Sequence, residues 1–497
     1  MSTQETPGRD LDVRFASGVA WTAGAKWVTQ GLTWLSIYVT ARLLSPADFG
    51  ISEMGAMFIT ITSVVAEFGI SGAVLQMQEL KPKAIAQLHT FSCLIGGGVF
   101  TASLLAVPLI AAFFRIEHLK LLIAANNVGF LIIGVQAVPF ALLSKDLDYR
   151  RLSISEGAQI AAQSLLTMGA AWLGWGYWSM TAGVAGGRFV RTALLLYWKP
   201  VPFTWPQWES IREAVHMGGK MSLGRLAWST YISVDGVVVG RVLGDSVLGV
   251  YRMALNLVSS PAEKISMLLM RSSTPLFVKV QHDHVEVRRY LVTMVELLTL
   301  GLMPVMFGLA IVAPEAIRVT IGDKWLPAVL PLRWLAAFTI MRVLGVLYEQ
   351  VLMSQRLVDF GMWMSIFCLC ILPPAFWVAA QWGGAQAVAA TWLLMVPLTT
   401  LPSVIRVHRH IQLSYWSIGH ASWASVAGTA VMMLVLFALR PWLGSLGLPL
   451  WVALVLEVCA GGLVYAAMLF GCFRSRVMRY WHFVKRIRSS RGEPAAA

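Results

Sequence analysis

The sequence predicts an all-α polytopic membrane protein with about fourteen transmembrane helices. Two six-helix lobes, related by a parallel pseudo-repeat, carry two appended helices. Composition, a succession of apolar runs and an ungapped internal repeat are the observations behind this expectation. Of 497 residues, 57% are apolar and only 13% charged, against about 45–50% and about 25% in an ordinary soluble domain. That apolar content is enough for roughly fourteen spans of about 20 residues. It excludes a soluble α/β enzyme, a disordered chain and a secreted disulfide scaffold. The cysteines (Cys93, Cys368, Cys370, Cys459 and Cys472) lie in or beside apolar runs, so no disulfide framework is implied.

The apolar runs centre near residues 17–41, 51–74, 89–114, 121–143, 154–174, 177–198 and 217–240, then 247–270, 290–314, 326–353, 361–380, 385–403, 417–439 and 448–471. The first is too long for a signal-peptide core and is expected to remain in the mature protein. The longest hydrophilic stretches, Lys199–Val215 and Arg271–Arg289, leave no room for a soluble domain. In the first of these, the spacing of Trp205, Trp208, Ile211 and Val215 suggests a short helix lying in the membrane interface.

The internal repeat sets the organisation. Arg42-Leu43-Leu44 followed by Phe49-Gly50-Ile51 recurs as Arg241-Val242-Leu243 followed by Leu248-Gly249-Val250, 199 residues later and without a gap. Met54 falls on Met253 and Lys26 on Arg225. The first two helices thus correspond to the seventh and eighth, an even interval that keeps direction through the membrane. The expected divisions are an amino-terminal lobe over 1–198, a cytoplasmic interfacial linker over 199–216 and a second lobe over 217–406. Helices 13 and 14 follow over 407–472, then a basic tail over 473–497.

Net charge is +14, but in a membrane protein the location of charge matters more than its sum. Placing the amino terminus and the even-numbered connections on one side gives that side most of the Lys and Arg. The other side holds Arg42, Arg115, Lys120, Arg241, Arg252, Arg318, Lys324, Arg333 and Arg440. Both termini are therefore expected in the cytoplasm. The basic tail reads as an anchor to anionic lipid headgroups, and nucleic acid is not an expected partner.

Charge inside the bilayer costs at least about 2.5–3.5 kcal/mol per group, so each instance calls for a reason. Lys26 lies about nine residues into the first run, roughly 13 Å deep, and Arg225 has the equivalent depth in the seventh. Glu67 and Asp235 are deep carboxylates, and Arg188 and Arg191 share one face of the sixth helix. Two readings stand: buried or snorkelling charges that bind helices together, or a central cationic cavity suited to an anion. Repeat-related Lys26 and Arg225 favour the cavity, with Arg188 and Arg191 as helpers, because guanidinium groups match phosphate oxygens. Glu67 and Asp235 would balance them or bind a coupling cation. Glu263/Lys264 and Arg342/Glu349 read first as structural pairs. No nucleotide loop, metal-spaced cluster or catalytic motif is present, so no cofactor and no enzymatic activity are expected. Gly96-Gly97-Gly98 reads as a close helix-packing site.

Particular stretches resemble the bacterial polysaccharide transporter family. These are lipid-linked oligosaccharide flippases of the multidrug/oligosaccharidyl-lipid/polysaccharide exporter superfamily. Ala41 to Gly50 (ARLLSPADFG), Val138 to Arg150 (VPFALLSKDLDYR), Asp235 to Gly244, Leu248 to Tyr251, and Gly322 to Val329 carry the resemblance. It implies a fourteen-helix, two-lobe fold that moves undecaprenyl-pyrophosphate-linked glycan units across the inner membrane by alternating access. Exopolysaccharide, capsule or O-antigen would be the product, with polymerase and chain-length proteins of the same pathway as further partners. On this reading Lys26 and Arg225 bind the pyrophosphate. The competing expectations are a cation-coupled multidrug antiporter of the same superfamily and a membrane glycan polymerase or ligase. The antiporter should have a cavity of carboxylates and aromatics, and the enzyme should have a large exterior loop.

Overall fold

The computed structural model describes residues 29–77, 81–355 and 357–474. These residues form helices joined by short turns and one longer non-helical stretch, with no strand among them. Helix α1 is described over 29–43. It is followed by α2 (Pro46–Glu67), α3 (Ile70–Gln76), α4 (Pro82–Phe114), α5 (Leu119–Lys145), α6 (Tyr149–Trp172), α7 (Trp178–Trp198), α8 (Trp208–Tyr231) and α9 (Val234–Leu243). Then come α10 (Asp245–Lys279), α11 (His284–Thr320), a 3₁₀ turn (Asp323–Ala328), α12 (Val329–Ser354), α13 (Val358–Leu394), α14 (Val396–Thr399), α15 (Leu401–His410), α16 (Tyr415–Ser445) and α17 (Leu450–Cys472). Eight helical stretches among the described residues are long and apolar enough to cross a bilayer. The chain is an integral membrane protein.

The chain divides into two compact units. One takes Met1–Arg252 with Phe376–Gln381, and the other takes Met253–Ala375 and Trp382–Ala497.

In the first unit the start of α2 is written in its sequence. The Ser45 amide donates to Asp48 Oδ2 at 3.0 Å, the Asp48 amide donates back to Ser45 Oγ at 3.2 Å, and Pro46 occupies the first turn. This reciprocal cap satisfies amides that have no helical partner. The other Asp48 oxygen accepts the Tyr177 amide at 3.1 Å, which ties the start of α2 to the start of α7. Phe68 and Gly69 take left-handed conformations (φ 47° and 60°) and end α2. There α3 turns away, and Ile70, Ala73 and Val74 join Leu88, Val138, Ala141, Ile211, Ala214 and Val215 in a core shared by α3, α4, α5 and α8. Of the glycine run in α4, only Gly96 makes the close approach: its added Cβ would lie 2.7 Å from the Phe130 carbonyl, while Gly97 and Gly98 face open space.

The expected interfacial helix over Lys199–Val215 differs from what is seen. Residues 200–207 are non-helical, and α8 begins only at Trp208. Pro200, Pro202 and Pro206 remove backbone donors and bias their predecessors to extended conformations. Trp205 and Trp208 are exposed, whereas Ile211 and Val215 point into the core.

In the second unit α11 is the central element. Asp283 caps it by accepting the Val285 and Glu286 amides at 2.8 and 3.2 Å. Ile311 packs with Met432 and Leu436 of α16, and Tyr465 of α17 donates to the Leu300 carbonyl at 2.9 Å. Helix α13 is broken at Gly383–Gly384, where φ reaches 62° at Gly384, consistent with two separate apolar runs there.

Candidate functional site

The first unit holds a buried charged cluster where α2, α9 and α10 meet. Asp235, the second residue of α9, is 1% exposed. Its Oδ2 accepts the Tyr251 hydroxyl at 2.7 Å, and its Oδ1 lies 3.8 Å from Arg252 Nη2. Arg252 Nε lies 3.8 Å from Glu53 Oε2 of α2. One guanidinium therefore sits between two carboxylates. Burial strengthens such contacts by lowering the effective dielectric, and neither carboxylate could be left there alone at low cost. Gly236 makes the arrangement possible, because a Cβ there would overlap Arg252 Nη2.

The backbone around this cluster is reciprocal. A Cβ on Gly50 would run into the Asp245 carbonyl, and a Cβ on Gly249 into the Pro46 carbonyl. Adding the repeat offset of 199 carries Pro46 onto Asp245, Gly50 onto Gly249 and Glu53 onto Arg252. Each glycine thus touches the counterpart of the residue that touches its own equivalent, the signature of a local pseudo-two-fold axis. The ion pair of Glu53 with Arg252 joins equivalent positions across that axis.

The residues singled out from the sequence are distributed as follows. Lys26 lies outside the described residues. Arg225 of α8 donates through Nη1 to Glu67 Oε2 at 3.2 Å, with side chains 58% and 30% exposed, so Glu67 balances Arg225 directly. Arg188 lays Nη1 against Gly129 of α5, close enough that a Cβ there would sit 2.6 Å away. Arg191 donates to Gln159 Oε1 of α6 at 3.1 Å and lies 5.1 Å over the Phe140 ring, while Glu156 is within electrostatic range. Neither arginine has a carboxylate oxygen within 4.0 Å among the described residues. These cations are thus anchored on separate helices: Arg225 against α2, Arg188 and Arg191 against α5 and α6. Arg342 donates to Ser259 at 3.3 Å, and Glu263, Lys264 and Glu349 are exposed. The sequence by itself does not mark Glu53, and it presents Arg252 only as a charge in a connection between apolar runs. The offset that aligns them was the signal available.

A second charged cluster lies in the other unit, where Arg440 of α16 pairs with Glu315 of α11 and lies 3.4 Å from Glu457 of α17. It fastens α16 and α17 to α11.

Charge buried between the helices of a many-helix membrane bundle marks a functional site, because each such group is costly to place there. The chain belongs to the family described as "Polysaccharide biosynthesis protein", whose model matches residues 39–330, more than half of its length. It is 23% identical over 398 residues to the lipopolysaccharide biosynthesis protein WzxC of Escherichia coli, covering 78% of this chain and 79% of that one. It is also 23% identical to the teichuronic acid biosynthesis protein TuaB of Bacillus subtilis, covering 92% and 97%. Among solved structures it resembles the lipid II flippase MurJ in an inward closed conformation. That match has a TM-score of 0.73 at 13% identity and covers 92% of this chain and 99% of that one.

Proposed function

We propose that the protein is a flippase that carries an undecaprenyl-pyrophosphate-linked oligosaccharide from the inner to the outer leaflet of the bacterial inner membrane. The glycan would serve exopolysaccharide, capsule or O-antigen synthesis. The observation that carries this reading is membership of a polysaccharide-biosynthesis family in a chain whose fold is that of a lipid II flippase. In this reading fourteen helices form two six-helix lobes, 1–198 and 217–406, joined by the linker and followed by helices 13 and 14. Both termini are cytoplasmic.

Mechanistically, the pyrophosphate enters a cationic cavity between the lobes while the polyprenyl tail stays in lipid, and the lobes then rock to open outward. Lys26 and Arg225 grip the phosphate, with Arg188 and Arg191 as secondary donors. Glu67 discharges Arg225 when no phosphate is bound, which its 3.2 Å contact supports. Asp235 is a charge-balancing group, held by Tyr251 and Arg252. The reciprocal contact of Gly50 and Gly249 closes the outer side in the inward state. The basic tail holds anionic lipid, and polymerase and chain-length proteins receive the product.

The test is surface glycan normalised to membrane-inserted protein in a deletion strain complemented with variants. Lys26→Ala and Arg225→Ala are each expected to depress it strongly, with Lys26→Arg retaining more. A deletion that leaves surface glycan at normal levels, with no second copy of the gene present, removes the flippase reading. Normal glycan per inserted molecule in both alanine variants removes the assigned cations.

A further inference from the structure

The turn from α5 to α6 and the end of α7 form a cleft that no step above uses. Its volume is about 480 Å³, and it is lined by Asp148, Arg150, Arg151, Ile154 and Trp198. Asp148 caps α6 by accepting the Arg151 amide at 3.1 Å. It also holds the Arg151 guanidinium at 3.4 Å, and the same guanidinium lies 6.0 Å over the Trp198 ring. Arg151 is therefore oriented before any ligand arrives.

Arg150 is different. It is exposed and has no ion-pair partner within 4.0 Å among the described residues. The neighbouring lysines are occupied: Lys199 pairs with Asp146 at 2.5 Å, and Lys145 donates to the Met77 carbonyl at 2.7 Å. Two arginines against one carboxylate leave the cleft with a net positive charge.

Its surroundings are amphipathic in one sense. Tyr149 at the start of α6 and Tyr197 at the end of α7 are exposed, as is Leu147, at 46%, 82% and 61%. Ile154 and the Trp198 indole supply apolar surface inside the cleft. Aromatic rings with a polar edge and basic side chains at helix ends mark the headgroup level of a bilayer. A guanidinium fork matches two phosphate oxygens, and one held in place loses less freedom on binding.

We propose that this cleft binds the phosphate of an anionic phospholipid headgroup, with Arg150 and Arg151 on the phosphate oxygens and Trp198 and Ile154 against the glycerol and first methylenes. The Asp148 carboxylate faces the bound phosphate and weakens the site, which keeps occupancy sensitive to membrane composition. This site is independent of the transported cargo and of the basic tail.

The experiment uses the full-length protein in nanodiscs of phosphatidylcholine. Lipid bound per protein is read by native mass spectrometry as phosphatidylglycerol is titrated in. A basic residue near an anionic surface contributes about a fivefold preference. Arg150→Gln, which breaks no contact, should therefore lower phosphatidylglycerol occupancy about fivefold, and Arg150→Gln with Arg151→Gln about 25-fold. Asp148→Asn, which keeps the helix cap, should raise it. Unchanged melting in pure phosphatidylcholine certifies folding of each variant. Wild-type occupancy in Arg150→Gln and in the double variant overturns the site. Competition by millimolar inorganic phosphate at the same strength as by phosphatidylglycerol overturns the lipid source, leaving a free-phosphate site.

Discussion

Removing the Arg252 side chain is the most informative single perturbation of the buried cluster. Arg252 lies 3.8 Å from both Asp235 and Glu53, and its side chain is 11% exposed. A unit-charge contact at about 4 Å is worth about 4 kcal/mol at an effective dielectric of 20, before the cost of desolvating the partners. Glu53, with its side chain 28% exposed, is less enclosed than Asp235 at 2%. Most of the penalty therefore falls on Asp235, which keeps the Tyr251 hydroxyl on Oδ2 and the Gly236 amide on Oδ1 but loses its cation. Breaking a buried pair by deleting one partner costs about 3–5 kcal/mol, and Arg252→Ala should lose that much stability. Asp235→Asn leaves Arg252 paired with Glu53 and should cost about 1–3 kcal/mol. The double variant should cost less than the sum, because the stranded charge is gone. Exchanging charges, Glu53→Arg with Arg252→Glu, restores a pair across the axis but sets a carboxylate beside Asp235, so it should not rescue. The assay is denaturant titration of the purified protein in mixed micelles, followed by tryptophan fluorescence. A loss below about 1 kcal/mol for Arg252→Ala, the range of exposed pairs, with additive behaviour in the double variant, would refute the cluster as described.

The remaining predictions concern its surroundings and the second unit. Gly50→Ala and Gly249→Ala each push a methyl group into a backbone carbonyl across the pseudo-axis, so both should impair surface glycan comparably, whereas Gly97→Ala, which meets open space, should be neutral. Glu67→Gln should cost under about 1 kcal/mol in stability, since this pair is 30% and 58% exposed, and should shift glycan output rather than protein level. Arg440→Ala strands Glu457, whose side chain is 4% exposed, and should destabilise by about 3–5 kcal/mol, detectable as faster proteolysis near α16 and α17.

Much of this protein is dictated locally. An excess of apolar residues with few charges permits only closed backbone hydrogen bonding inside a bilayer, so helices crossing a membrane follow from composition. Ser45, Pro46 and Asp48 fix where α2 begins because a cap is made within one turn. The repeat at 199 residues survives as matched charged and glycine positions, and the same offset reappears as paired contacts at Gly50 and Gly249.

What the tertiary structure alone decides is which faces meet. Successive helical residues point about 100° apart, so a small rotation of one helix changes every partner it has. Nothing along the chain states that Arg225 finds Glu67, that Arg252 lies between Asp235 and Glu53, or that Arg191 reaches Gln159. Nor does a run of three glycines reveal that Gly96 alone touches a neighbouring backbone. Those choices rest on close packing summed over whole helix faces, and charge depth by itself carries no information about the direction in which a side chain looks.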